Sequence, residues 1–252
     1  MLLTIDVEEI IDTNFHILWK KEPKVDYERL IDNFIELSQN YKAKAFVLGT
    51  FAKKYPHLVR KLHSNGIEIA SHGYEHNLVY NVSFQNWIED IRVSKKILED
   101  LIGCEVNGYR SPSWSMPFKK EYYEELAKAG FSFSSSYFPL KTYMYGNSVN
   151  KKSPFVVVTK YGEIVEYPIV RDFIPFSGGF YLRVLPMWIL KAFFKKVNNS
   201  ILYIHPYELM DENLMGYFRK YASFNLDFLL AFYSFGLPKN KIKEIIDGKN
   251  VK

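Results

Sequence analysis

The stretch Gly66-Ile67-Glu68-Ile69-Ala70-Ser71-His72-Gly73-Tyr74-Glu75-His76 joins a short apolar run to two of the six histidines of the chain. The run Ile67–Ala70 has the length and composition of a buried strand, and Gly66 before it ends a predicted helix. In parallel α/β folds, functional side chains follow the carboxyl ends of strands, which is the position of His72. This stretch therefore predicts a parallel α/β fold with a site at the edge of its sheet.

His72 and His76 can bind one metal ion if the segment between them turns helically, because positions i and i+4 share a helix face. The competing interpretation is a pair of surface or cap-forming histidines. The spacing alone favours that interpretation. Other segments of the chain must decide between the two.

Strand-like and helix-like segments alternate for most of the 252 residues, which favours parallel strands joined by crossover helices. Asp26 is predicted to cap one helix, and a longer helix is predicted to run from Ser83 to Gly103. Residues 137–162 are predicted to be irregular. We expect a single domain over 1–252, with a core of about 2–208 and a helical C-terminal cap of about 212–252.

Composition narrows the class of protein. Basic residues number 33 and acidic residues 28, without a long basic block, which is too weak a charge for a nucleic-acid partner. Attraction to an anionic polymer or a membrane surface is the most that this charge supports. The single cysteine, Cys104, excludes an internal disulfide framework and multi-cysteine zinc motifs. The high aromatic content, 17%, suits a sugar-binding cleft but more often fills a core.

Targeting signals are not visible in the sequence. The chain enters a strand-like run at Leu2, without a basic region or cleavage site, and no apolar stretch reaches the roughly 18 residues that span a bilayer. We therefore expect a protein of the cytoplasm or of the cytoplasmic face of the membrane. The sequence leaves homo-oligomer formation open.

Polar residues follow four predicted strands: Asp6 with Glu8 and Glu9, His72 with His76, Arg110, and His205. If the sheet closes as a barrel, these strand ends converge. Two imidazoles and a carboxylate complete a three-ligand site for a divalent ion, and a second carboxylate can accept a proton from water. A protonated histidine can donate to a departing amine, so the set predicts metal-assisted hydrolysis of an amide.

Each group also has an ordinary structural interpretation. The acidic residues after the first strand could be the N-terminal cluster of a helix, and Arg110 a surface ion-pair residue. His205 could simply bond a backbone carbonyl. The order of all four groups along the chain favours the functional interpretation.

That order resembles the polysaccharide deacetylases, carbohydrate esterase family four with the NodB homology domain. The matching motifs are Thr4–Glu9, Ser71–His76, Gly108–Pro112 and Ile201–Pro206. Four motifs in order are fairly specific, although each alone is weak. The likeness is closest to the exosortase-associated and peptidoglycan-type branch, through Phe46–Gly49, Gly66–Gly73, and Gly178-Gly179 before Leu185-Pro186.

The resemblance implies a distorted (β/α)7 barrel and a role for each site residue. Asp6 is the expected general base, Arg110 its positioning partner and His205 the general acid. The backbone N–H of Ser113 is expected to help hold the oxyanion. His72, His76 and one carboxylate are the expected ligands of zinc, with cobalt, nickel or manganese as alternatives.

The chain departs from the family pattern at two places. The position after the base, where the family usually has a ligand aspartate, is Val7, so we expect Glu8 to be the third ligand, with Glu9 as the alternative. Ser134-Ser135-Ser136 stands where many relatives have an aspartate. Asp172 is a candidate for the carboxylate that orients His205.

Three functions are compatible with this pattern. The first is removal of acetyl groups from an N-acetylated amino-sugar polymer or oligomer. The second is hydrolysis of a small cyclic amide or ureide, as in the allantoinase-like relatives. The third is a carbohydrate-binding relative with little catalysis, for which Val7 and the serine-rich segment are the reasons.

Overall fold

A computed structural model describes most of the chain. The described residues are 2–12, 17–139, 146, 151, 153–169, 178, 185–196, 201–210, 217, 220–224 and 242–245, with the backbone alone for 193–196. They belong to two compact units, which we call the terminal unit (1–42 and 172–252) and the central unit (43–171). The organisation of the chain as a single domain stays a prediction.

Strands and helices alternate through both units, which confirms the α/β fold class. The strands are β1 (Leu2–Val7), β2 (Lys42–Val47), β3 (Glu68–Ser71), β4 (Gly108–Tyr109), β5 (Phe133–Ser134), β6 (Phe155–Thr159), β7 (Gly162–Glu166) and β8 (Ile201–Ile204). The helices are α1 (Tyr27–Ser38), α2 (Gly49–Lys54), α3 (Pro56–Ser64), α4 (Phe84–Ile102), α5 (Lys120–Lys128) and α6 (Met187–Lys196).

The terminal unit is built on the parallel pair β1 and β8. Leu2 lies opposite Ile201 and Ile5 opposite Ile204, so both strands end at the same edge. Helix α1 begins as predicted, because the Asp26 side chain accepts the backbone N–H of Arg29 at 3.1 Å. Its buried face covers the short 3₁₀ turn Pro206–Leu209 that follows β8. The first residues after β8 are thereby held in place.

In the central unit, the strands lie in the order β6-β7-β5-β4-β3-β2. Neighbouring strands are parallel from β2 to β5 and between β5 and β7, whereas β6 and β7 form an antiparallel hairpin. A buried cluster of Phe46, Ala70 and Phe133 packs on one face of this sheet. The parallel strands place His72 and Arg110, which directly follow β3 and β4, at one edge.

Helix α4 has the bounds that the sequence predicts. The Ser83 side chain accepts the backbone N–H of Asn86 at 3.1 Å, and Gly103 ends the helix in the left-handed conformation. Trp87, Ile91 and Leu98 are buried on the face that packs against β3. This helix lies beside the stretch that carries the two histidines.

The hairpin differs from the prediction that residues 137–162 are irregular. Residues 155–159 form β6, whose alternation of half-buried and exposed residues is typical of an edge strand with one solvated face. Gly162, at φ 137°, follows the tight turn into β7. The prediction missed this strand because Pro154 and the polar residues before it suggested a loop.

Most of the predicted C-terminal cap, 212–252, lies outside the described residues, as does Gly179. Within that cap, residues 217, 220–221 and 242–245 are helical or helix-like. No helix in the described part of the chain has both the length and the apolar character to cross a membrane.

Candidate active site

The predicted site residues of the terminal unit gather where β1 and β8 end. Asp6 and Glu8 are each 2% exposed, although carboxylates are rarely buried without a polar partner. His205 directly follows β8 and is 19% exposed. The carboxylates of Asp6 and Glu8 thus lie near enough to the His205 imidazole to interact with it electrostatically.

Burial distinguishes Glu8 from Glu9. Strand β1 ends at Val7, and Glu8, which directly follows it, is 2% exposed. The Glu8 carboxylate accepts the Tyr207 hydroxyl at 2.9 Å and lies 3.8 Å from His205 Nε2. Glu9 is less buried, and its backbone N–H donates to the Asp12 carboxylate at 2.8 Å.

Carboxylates hold His205 and keep it charged. Glu208 Oε2 accepts the backbone N–H of His205 at 2.9 Å and lies 3.5 Å from its Nδ1, while the Tyr207 ring stacks on the imidazole at 5.0 Å. Burial alone would lower the pKa of His205, but Glu208, Glu8 and Asp6 raise it from 6.5 to about 9. The imidazole is therefore protonated at neutral pH, as a general acid requires.

Glu208 is a site residue that the sequence analysis missed. The candidate named there, Asp172, lies outside the described residues. The spacing of the two residues was the available signal. The residue before a helical turn has a backbone N–H, and a Glu three residues later commonly accepts a hydrogen bond from it. Glu208 is fully buried and stands three residues after His205 in the turn that opens at Pro206.

In the central unit, His72 is fixed in the tautomer that suits a metal ligand. Its Nδ1 lies 2.8 Å from the carbonyl oxygen of Arg110, and a carbonyl only accepts hydrogen bonds, so Nδ1 carries the proton. Nε2 is then unprotonated, the form in which an imidazole nitrogen binds a metal ion. A hydrogen bond at the other nitrogen is typical of ligand histidines, because it orients the ring.

His76 comes near His72 through a bend and not through the helical turn that the spacing suggested. The two ring centroids are 5.5 Å apart, and Tyr74 and Glu75 form the bend between them. Gly73, at φ 87°, directs the chain into this bend. The two imidazoles are thus close to each other, although the segment between them does not form a helical turn.

Arg110 is a buried residue, so the interpretation as a surface ion-pair residue is wrong. It is the largest fully buried side chain of the described residues, and its guanidinium lies over the Phe46 ring at 3.9 Å. It donates to the Ser135 hydroxyl at 3.1 Å. A buried guanidinium is costly unless it meets acceptors, which points to a role beyond packing.

The serines that replace the usual aspartate form part of the support for Arg110. Ser135 accepts from the guanidinium, and the Ser136 hydroxyl accepts the backbone N–H of Ser111 at 2.9 Å. The fully buried Glu166 accepts the backbone N–H groups of Ser136 and Tyr137 at 2.8 and 2.9 Å, and burial raises the pKa of its carboxyl. The carboxyl group of Glu166 thus holds the segment after β5, although Glu166 is far in the sequence from the position at which many relatives have an aspartate.

Ser113 lies in a strained turn of residues 112–114. Ser113 and Trp114 have φ values of 48° and 49°, in the left-handed region that costs a non-glycine residue about 1–2 kcal/mol. The Ser115 side chain donates to the carbonyl of Pro112 at 2.6 Å, and the Ser111 side chain accepts the N–H of Met116 at 3.2 Å. Strain held by its surroundings in this way is common at functional sites.

Comparison with family models divides the chain into two parts. Residues 25–134 match the model described as polysaccharide deacetylase. Residues 135–227 match a model described as a domain of unknown function, DUF3473. No curated protein matches the sequence.

The fold is shared with solved structures at low sequence identity. A protein of Mycobacterium smegmatis assigned as a polysaccharide deacetylase has a TM-score of 0.59 at 16% identity, over 100% of this chain and 92% of its own. A family 4 carbohydrate esterase of Streptomyces lividans in complex with acetate has a TM-score of 0.50 at 13% identity, over 98% and 88%. The expected fold of the NodB type is thereby confirmed.

The same fold also serves other chemistry. A 4-alpha-glucanotransferase of Thermococcus litoralis has a TM-score of 0.58 at 12% identity, over 100% of this chain and 38% of its own. The fold alone therefore does not fix a reaction, and function must be argued from the site. The branch within the deacetylases stays a prediction.

Proposed function

Since residues 25–134 match the polysaccharide deacetylase model and the chain shares its fold with a protein assigned as such a deacetylase, we propose that this protein is a metal-dependent hydrolase that removes N-acetyl groups from an amino-sugar polymer or oligomer. The match to this family model supports deacetylation of a polysaccharide. The site residues support the dependence on a metal.

The single observation that carries the metal dependence is the hydrogen bond from His72 Nδ1 to the carbonyl of Arg110. This hydrogen bond leaves Nε2 unprotonated, and His72 is buried. A ring held in this way at a buried position is typical of a metal ligand and not of a solvated surface histidine. We propose that His72, His76 and Glu8 are the ligands. Two imidazoles and one carboxylate are a ligand set found in catalytic zinc sites, so zinc is the proposed metal, with cobalt, nickel or manganese as alternatives.

A divalent cation in this position would supply a Lewis acid that lowers the pKa of water and polarises the acetyl carbonyl. Asp6, which lies on β1 and is 2% exposed, is the proposed acceptor of the proton from water. Arg110 is the proposed positioning partner of Asp6. The buried guanidinium, held by Ser135 and stacked on Phe46, offers a fixed positive charge for that purpose.

His205 is the proposed donor of a proton to the leaving amine. Its protonated state at neutral pH, its partial exposure and its fixed orientation against Glu208 and Tyr207 support this role. The backbone N–H of Ser113 is the proposed donor to the oxyanion. The strained turn at Ser113 and Trp114 supports a function for that segment.

We propose that Glu8, which is buried directly after β1 and has a longer side chain than aspartate, takes the place of the usual ligand aspartate, where this chain has Val7. This favours a working hydrolase over a binding protein with the metal site lost.

The test is acetate release from chitooligosaccharides and peptidoglycan fragments by the zinc-loaded protein. We expect turnover that stops when a chelator removes the metal and returns when zinc is restored. Hydrolysis of allantoin without acetate release would favour the cyclic-amide alternative. Stoichiometric zinc without turnover on any N-acetylated sugar would contradict the proposal and favour a binding protein.

A further inference from the structure

The bend between the two histidines is held by side chains of a neighbouring helix. The backbone N–H groups of Tyr74 and Glu75 donate to the two carboxylate oxygens of Asp90, at 2.9 and 3.1 Å. Asp90 stands on α4, fifteen residues beyond Glu75 in the chain. One carboxylate thus fixes two consecutive peptide groups that lie between His72 and His76.

A second residue of α4 holds the beginning of the bend. The Ser71 hydroxyl accepts the backbone N–H of Gly73 at 3.1 Å and lies 2.8 Å from the hydroxyl of Ser94. Ser94 is fully buried, and the other buried residues of α4 are apolar. Asp90 and Ser94 are four residues apart, so they share one side of the helix.

The carbonyl groups of the bend are held from the other direction. The N–H groups of Gly49 and Thr50, in the first turn of α2, donate to the carbonyls of Gly73 and Tyr74 at 2.9 and 3.0 Å. These donors belong to the helix terminus, whose first N–H groups have no partner within the helix. The bend is therefore bonded to α2 through its carbonyls and to α4 through its N–H groups.

Gly73 makes the close approach of Asp90 possible. Its φ of 87° is unfavourable for other residues, and a Cβ at this position would lie 2.8 Å from Asp90 Oδ1. The close approach of Asp90 thus requires glycine at position 73, 17 positions before it in the sequence.

We propose that Asp90, supported by Ser94, is a positioning residue that sets the separation and orientation of the two ligand histidines. This inference rests on the proposed function, because it assumes that His72 and His76 bind a metal ion. Asp90 acts through the backbone N–H groups of Tyr74 and Glu75 in the bend. It belongs to the class of partners that orient metal ligands without binding the metal.

The experiment compares Asp90→Ala and Asp90→Asn with the control Glu89→Gln in the full-length chain. Glu89 is the exposed neighbour of Asp90, and its change to glutamine also removes one negative charge. We expect Asp90→Ala to weaken zinc binding about 10–100-fold, as loss of a partner that orients a ligand commonly does. Zinc affinity is measured by competition with a chromophoric chelator, and the cobalt-substituted proteins are compared by their absorption spectra.

The spectrum and the affinity distinguish positioning from a general effect on stability. We expect an altered cobalt spectrum for Asp90→Ala, an intermediate loss of affinity for the isosteric Asp90→Asn, and wild-type behaviour for Glu89→Gln. If Asp90→Ala does not fold, the same comparison is made with Asp90→Asn. Wild-type affinity and spectrum in the folded Asp90 variants would overturn this inference, whereas a wild-type protein without zinc affinity would overturn the proposed function and this inference with it.

Discussion

Replacing His72 with alanine is expected to abolish zinc binding and, with it, acetate release. Removal of a hydrogen-bond partner of a ligand lowers metal affinity by up to roughly 100-fold. His72 is proposed as a direct ligand, so its removal should lower zinc affinity by more than that. His76→Ala is expected to have the same effect. Both are measured as zinc stoichiometry and affinity of the purified protein, together with acetate release.

His63→Ala is the matched control, because His63 is an exposed histidine on α3 and has no proposed role at the site. It should retain zinc and activity. Full zinc binding and activity in His72→Ala would contradict the assignment of the ligands. The same result in His76→Ala would remove that residue from the ligand set.

Replacing His205 with alanine is expected to separate metal binding from turnover. The variant should bind zinc as the wild type does, because His205 is not a proposed ligand. Its kcat should fall by about 10²–10⁴-fold, the usual contribution of a positioned general acid. Zinc stoichiometry and kcat for acetate release are measured on the same preparation, and an unchanged kcat would exclude His205 as the acid.

The pH profile gives an independent check on His205. A general acid works only while protonated, so kcat should fall as the pH rises through the pKa of the imidazole. The carboxylates raise this pKa to about 9, and a cation bound by Glu8 offsets part of that charge, which places the decline between 6.5 and about 9. Because Glu208 raises the pKa, Glu208→Gln should move the decline to lower pH. A decline at the same pH in wild type and Glu208→Gln would contradict this account.

Local sequence signals predicted the elements well. The caps at Asp26 and Ser83 and the glycine at 103 each satisfy helix ends through contacts within a few residues, so they can be recognised without knowledge of the fold. The polar residues after β1, β3, β4 and β8 were recognised for a similar reason. Parallel strands present their carboxyl ends at one edge, and this rule needs only the order of the elements.

The parts of the site that the sequence did not predict depend on contacts between distant residues. The bend at Tyr74 and Glu75 replaces the expected helical turn because Asp90, on another element, binds its N–H groups. Glu166 supports the serine segment from 30 residues away. Such side-chain to backbone contacts leave no periodic signal in the chain.

An anomalous difference map at the zinc absorption edge, from crystals of the zinc-loaded protein, tests the central claim most directly. The account predicts one peak at about 2.0–2.2 Å from His72 Nε2, a ring nitrogen of His76 and a carboxylate oxygen of Glu8. A peak bound by Glu9 in place of Glu8 would correct the third ligand. A peak away from both histidines, or no peak in protein saturated with zinc, would contradict the proposed metal site.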